Sequence, residues 1–174
     1  LVLCMAAIMA VAALVAGCGS TEQKAASDSK VLKVGTNADF APFEFQDENG
    51  KEYQGFDMDL IRAIGEEMGY KVEISNIQFD GLIPAIQAGN IDVAITGMTI
   101  NEERKQNVLF SDPYYKSGLS IIVAKDNNDI KTFQDLKGKK VAVQIGTTSA
   151  AEVNKIGGVE VKEFNSSADT FMEL

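Results

Sequence analysis

Arg104 is the residue whose position most needs a chemical explanation. It falls one turn into a short helix in the stretch GMTINEERKQNVLFSDPYY, residues 97–115. The amino end of a helix carries partial positive charge, which favours the acidic Glu102 and Glu103 just before it and opposes a cation. Arg104 therefore works against its local field unless an anion is held there with it. A planar guanidinium offers paired donors that match a carboxylate. The Thr99 hydroxyl and the free amides of the helix start would complete such a cradle. The competing reading is a solvated surface arginine paired with its acidic neighbours. These residues alone leave both open.

Three turns follow strand-like runs: TNADFAPFEF at residues 36–45, TGMTINEER at 96–104 and GTTS at 146–149. In open α/β sheets ligands sit beyond the carboxyl ends of the strands, so the three turns would face a common cleft. Phe40, Phe43, Phe45 and Phe79 would then form an aromatic wall, or else ordinary core. GTTS offers the Thr147 and Thr148 hydroxyls and helix-start amides to an anion. It lacks the Gly-x-x-x-x-Gly-Lys pattern of a nucleotide loop, and by itself reads equally as a helix cap.

The elements that must position these turns alternate along the chain. VLKVGT (31–36) suits a strand. Asp57 then caps a helix carrying Leu60, Ile61, Ile64 and Met68 on one face, stopped by Gly69. KVEISNI (71–77) alternates as a half-buried strand does. Asp80 caps a second helix bearing Leu82, Ile83 and Ile86, with Pro84 near its first turn and Gly89 after its end. IDVAIT (91–96), GLSIIVA (118–124), KVAVQ (140–144) and residues 159–164 read as further strands. A helix begins near Ala150, and Ser167 or Asp169 caps a last one. This order predicts an α/β fold with largely parallel sheets. No internal repeat is visible.

The chain carries a net charge of −9 over 174 residues, with two cysteines and no histidine. An acidic chain gains nothing from counterion release, which sets nucleic acid aside as a partner. Lack of histidine removes His-based triads and His-ligated metal sites from this stretch. Residues 1–17, LVLCMAAIMAVAALVAG, bear no charge and end in small residues directly before Cys18. That pattern reads as an export signal and resembles the lipobox of bacterial lipoproteins, which implies lipid attachment at Cys18. Residues 18–30, small and polar, then read as a flexible tether holding a domain near a membrane. With no initiator Met, and with DTFMEL (169–174) reading as an unfinished helix, a fragment is expected at both ends.

From about residue 31 to 174 the chain resembles the bacterial extracellular solute-binding proteins of family 3, the polar amino-acid receptors of ABC importers. The motifs that carry the likeness are GTNADFAPFEF, GFDMDLIRAIGEEMG, FDGLIPAIQAGNIDVAITGMTINEERKQNVLFSDPYYKSG and DLKGKKVAVQIGTTS. The resemblance implies a two-lobe, type II periplasmic-binding-protein clamshell, with lobe 1 at 31–113, a hinge at 114–118 and an incomplete lobe 2 at 119–174. Arg104 would grip the α-carboxylate of a free amino acid, joined by Thr99 and by Thr147 and Thr148 of the second lobe. Phe40 and Phe79 would sandwich the ligand's aliphatic part, and the Thr96 and Gly97 backbone would meet its amino end. A zwitterion needs a bidentate cation at one end and acceptors at the other, so these residue types make chemical sense.

The likeness further implies a monomer, lipid-anchored outside the cytoplasm, that presents its ligand to an ABC permease and needs no cofactor. Asn37 stands where the family often has Asp, and Gln144 holds a variable selectivity position. The neutral Asn37 weakens the case for lysine or arginine, and a neutral polar amino acid such as glutamine fits best. The family's acidic partner for the ligand ammonium lies beyond residue 174, so this stretch alone is not expected to be a competent receptor. Two alternatives share the fold. One is an enzyme of the cyclohexadienyl-dehydratase kind, for which Glu44 and Asp39 are the nearby acids, neither with an evident partner. The other is the sensing domain of a receptor.

Overall fold

The computed structural model describes residues 30–174. The expected signal, the Cys18 attachment site and residues 18–29 of the tether lie outside the described residues. The first sheet is built on β1 (Lys30–Thr36), whose alternating apolar residues end in the fully buried run from Val34 to Thr36. Four short elements come next: β2 (Asp39–Phe40), β3 (Glu44–Gln46), β4 (Tyr53–Gln54) and helix α1 (Phe56–Met68). β5 (Tyr70–Asn76) lies parallel to β1 from Lys30↔Tyr70 to Thr36↔Asn76. On the other side of β1 runs β6 (Val93–Ala94), also parallel, after helix α2 (Leu82–Gln87). Strands β2, β3 and β4 form a small antiparallel sheet of their own.

Val34, Met58, Ile61 and Ile95 make the core of this half, α1 laying its apolar stripe on the sheet. A Cβ on Gly65 would meet Val72 Cγ2 at 2.2 Å, so only glycine lets the helix sit this close to β5. Gly69 ends α1 in the left-handed conformation, as its sequence position predicts.

Helix α3 (Glu102–Lys105) is a single turn capped by Asn101, whose side chain accepts from the Arg104 amide. The second half holds β7 (Lys140–Gln144), helix α4 (Thr148–Asn154), β8 (Glu160–Phe164) and helix α5 (Ser167–Met172). β7 and β8 pair in parallel. Its core is Leu136, Val143, Ala150 and Val153, sharing no residue with the first. Two separate apolar cores are the physical content of two lobes.

Several sequence expectations are corrected. Asp57 does not cap α1: the N-cap is Gly55, and the first amides, of Phe56 and Asp57, donate to the carbonyls of Pro42 (3.0 Å) and Phe43 (2.9 Å). Asp80 lies in a short 3-10 turn, and Gly81 precedes α2. α5 is capped by Ser166 rather than Ser167 or Asp169. The run 118–124 forms no strand. Its β-branched residues suit extended backbone, but a ladder needs a partner, and none of the described strands pairs with this run. Leu119 and Ile122 stay largely exposed in consequence. In 91–96 only Val93–Ala94 are laddered.

Candidate functional site

The ends of β1, β6 and β7 point the three expected turns at one another, and side chains from both halves meet there. Arg104 is buried at 8% exposure although it carries a full charge. Its Nη1 donates to the Thr99 carbonyl at 2.7 Å and its Nη2 to the Gly146 carbonyl, in the other half, at 2.9 Å. The guanidinium carbon lies 5.4 Å from the centre of the Phe79 ring, a cation–π arrangement. Among the described residues Arg104 makes no ion pair, so the solvated surface pair with Glu102 or Glu103 is not what forms. Burial pulls its pKa below the usual arginine range.

Two more contacts cross between the halves. Gln144 Nε2 donates to Asn37 Oδ1 at 2.7 Å, and Asn37 is itself buried, its amide donating to Thr96 Oγ1 at 3.0 Å. Ser167 donates its amide to Asp39 Oδ2 (3.0 Å) and its hydroxyl to Asp39 Oδ1 (2.9 Å) and to the Asp39 carbonyl (3.0 Å). Thus Asp39 finds a partner 128 residues away that no local pattern shows.

A cavity of about 340 Å³ lies at the junction, lined among others by Phe79, Arg104, Gly146, Thr147 and Thr148. Thr147 caps α4, its Oγ1 accepting from the Ala150 amide and donating to the Gln144 carbonyl at 2.7 Å. Its hydroxyl is therefore committed to the fold, while the half-buried Thr148 opens the helix. Asn37, Phe40, Thr96, Gly97, Thr99 and Gln144 do not line this cavity. Phe40 is 46% exposed and stacks on Phe43 at 5.9 Å. Its ring would lie 3.9 Å from a Cβ on Gly97. Phe79 presents its face to Arg104. A larger open groove of about 740 Å³ beside β4 and Arg62 contains none of these residues.

Beneath the Thr96–Gly97 turn lies a group the sequence did not single out as a set. Thr96 Oγ1 donates to Glu44 Oε1 at 3.0 Å. The Gly97 amide donates to Asp57 Oδ2 at 2.9 Å, and the Tyr114 hydroxyl donates to the same oxygen at 2.8 Å. Glu44 and Asp57 are 1% and 0% exposed. Burial, and next the Asp57 carboxylate, raises the Glu44 pKa from 4.5 to about 9. Burial, and next the bond to Asp57, raises that of Tyr114. The available signal was Glu44 between two phenylalanines in PFEF and Asp57 between Phe56 and Met58 in GFDMDL, where a solvated side chain would be out of place.

Comparison with known proteins bears on all of this. The family model described as bacterial extracellular solute-binding proteins, family 3, matches residues 32–172. The arginine-binding extracellular protein ArtP of Bacillus subtilis is 35% identical over 160 residues, 90% of this chain and 62% of its own length. Among solved structures, an ancestral arginine-binding protein bound to arginine superposes with a TM-score of 0.81 at 54% identity, covering 83% of this chain and 65% of its own. An ancestral arginine-binding protein bound to glutamine superposes with a TM-score of 0.80 at 54% identity, covering 83% of this chain and 64% of its own. An ancestral amino acid-binding protein described as a precursor of cyclohexadienyl dehydratase superposes with a TM-score of 0.79 at 48% identity, over 82% of this chain and 64% of its own. The chain thus spans about two-thirds or less of each protein's length.

Proposed function

The chain belongs to the bacterial extracellular solute-binding proteins, family 3, and on that premise we propose that it captures a free polar amino acid between two lobes for an ABC permease. The observation that carries the proposal is Arg104. A buried guanidinium without a counter-ion is unfavourable, and a carboxylate from outside the chain relieves it. Two of its five donor hydrogens go to the Thr99 and Gly146 carbonyls, leaving donors for a ligand. Thr99 and Thr148 add donors, Phe40 and Phe79 flank the apolar part of the ligand, and the Thr96–Gly97 turn receives its amino end.

Lobe 1 is assigned to residues 31–113, the hinge to 114–118 and lobe 2 to 119–174. On the outer side of the membrane, Cys18 carries the lipid, after a signal at 1–17 and at the head of a tether that ends at residue 29, since Lys30 already belongs to β1. Asn37 and Gln144, two neutral amides, form the part of the site that reads the side chain, and glutamine is the expected ligand. Arginine is the competitor to set beside it, given ancestral arginine-binding proteins solved with arginine and with glutamine.

The dehydratase reading has less support: Glu44 is buried beneath the turn, and both Asp39 oxygens are engaged by Ser167. Calorimetric titration of the protein made from its complete gene against the common amino acids tests the proposal. One or a few should bind and be recovered unchanged. Turnover of the ligand, or no binding by any, refutes it.

Closure should depend on the Asp39–Ser167 contact, which joins the two halves. Asp39→Ala removes two acceptor contacts, worth about 1–2 kcal/mol together, and should weaken binding roughly tenfold. Stopped-flow kinetics should place that loss in faster ligand release, as expected when the closed form is less populated. An unchanged release rate would count against the latch.

A further inference from the structure

Glu44 and Asp57 are two acids in a place that suits one negative charge at most. Both are buried, and both hold the same turn, Glu44 through the Thr96 hydroxyl and Asp57 through the Gly97 amide. Glu44 Oε2 and Asp57 Oδ1 are buried acceptors with no donor. An ionised carboxylate can only accept, so two of them side by side leave those oxygens unsatisfied and repel. One proton between the two groups supplies the missing donor and removes one charge.

Its place follows from the other bonds. Asp57 Oδ2 already accepts from both the Gly97 amide and the Tyr114 hydroxyl. Glu44 accepts only from Thr96. We propose that Glu44 and Asp57 share one proton, carried by Glu44, and act as a positioning pair that pins the Thr96–Gly97 turn and the Tyr114 segment to lobe 1.

The pair settles which way the turn faces. A ligand ammonium needs acceptors, and an amide hydrogen aimed at it would repel it. With the Gly97 amide held on Asp57, that donor is turned inward, and Gly97 tolerates the conformation because its φ is 56°. Tyr114, bonded to the same Asp57 oxygen, ties the start of the segment assigned to the hinge to the floor of the site. Glu44 therefore acts on ligand through the turn and does not touch it. This role rests on the receptor reading above; the shared proton does not.

The charged and titratable groups that act on Glu44 are Asp57 on α1, Asp39 on β2 and Tyr114, with no cation among them. A neutral Glu44 is a raised folded-state pKa, so its contribution to stability is greatest below 4.5 and is lost as pH climbs toward about 9. The melting temperature of the wild type should accordingly fall relative to that of Glu44→Gln over this window, measured without ligand. Infrared difference spectra should show a protonated carboxyl band at neutral pH that Glu44→Gln abolishes. A missing band, or parallel melting profiles, overturns the shared proton.

For the positioning role, Glu44→Gln keeps a donor for Asp57 and an acceptor for Thr96. It should bind the ligand within about threefold of wild type, whereas Glu44→Ala and Asp57→Asn should each lose roughly tenfold or more. Equal losses for Glu44→Gln and Glu44→Ala overturn that role. If no amino acid binds the wild type, the receptor reading fails, and the spectra and melting profiles still decide the proton.

Discussion

Arg104→Ala should abolish amino-acid binding at ordinary ligand concentrations. Removing one member of a buried, hydrogen-bonded charge pair costs about 2–5 kcal/mol, a weakening of roughly thirtyfold to several thousandfold. The same change deletes the Arg104–Gly146 bond, which joins the two halves, so the closed form loses support as well. Arg104→Lys separates the two contributions. It keeps the charge but offers a point donor where a planar fork spans Thr99, Gly146 and the ligand, and it should recover only part of the affinity. Lys105→Ala, one residue on, is the control. Lys105 pairs only with the exposed Glu102, and its loss should be nearly silent. Titration calorimetry on the four proteins decides the matter: an Arg104→Ala variant within a few-fold of wild type would falsify the carboxylate role.

Gly55→Ala should be among the most damaging single substitutions for stability. Gly55 has φ 118°, a conformation open essentially to glycine alone, and a Cβ there would lie 2.3 Å from the Phe43 carbonyl oxygen. Neither neighbour can give way easily, because the Pro42 and Phe43 carbonyls are held by the first amides of α1. Strain and collision together should cost about 3 kcal/mol or more, seen as a melting temperature lower by roughly 10 °C. The same close approach sets Asp57 beside Glu44, so the damage should reach the Thr96–Gly97 turn. Gly50→Ala is the comparison: its φ of 66° is positive too, but nothing lies within 4 Å of the added carbon. Similar melting temperatures for Gly55→Ala and Gly50→Ala would show that the crowding is unimportant.

The fold was legible wherever a local pattern carries its own physics. Helix α1 and its glycine stop, the parallel strands β1 and β5, and the helical turn that bears Arg104 all follow from spacing within a dozen residues. The buried face of α1, however, is Met58, Ile61 and Gly65, while Ile64 and Met68 of the expected face stay exposed. Two of the capping assignments failed for one shared reason. Asp57 and Ser167 have side chains suited to a cap, but tertiary partners claim them first: Gly97 and Tyr114 for Asp57, and Asp39 for Ser167. The run 118–124 failed differently, since propensity describes one strand and a ladder needs two.

The residues themselves determined the chemical cast: a guanidinium directly after two acids, threonine-bearing turns after strands, two neutral amides at Asn37 and Gln144, and a family likeness in long matched motifs. Only the tertiary structure decided how they are joined. Arg104 meets Gly146 across 42 residues, Asn37 meets Gln144 across 107, and Asp39 meets Ser167 across 128. Such pairings depend on how two independent apolar cores come to rest against each other. Side-chain periodicity reports which face of an element is buried, and carries no information about which distant backbone will be waiting there.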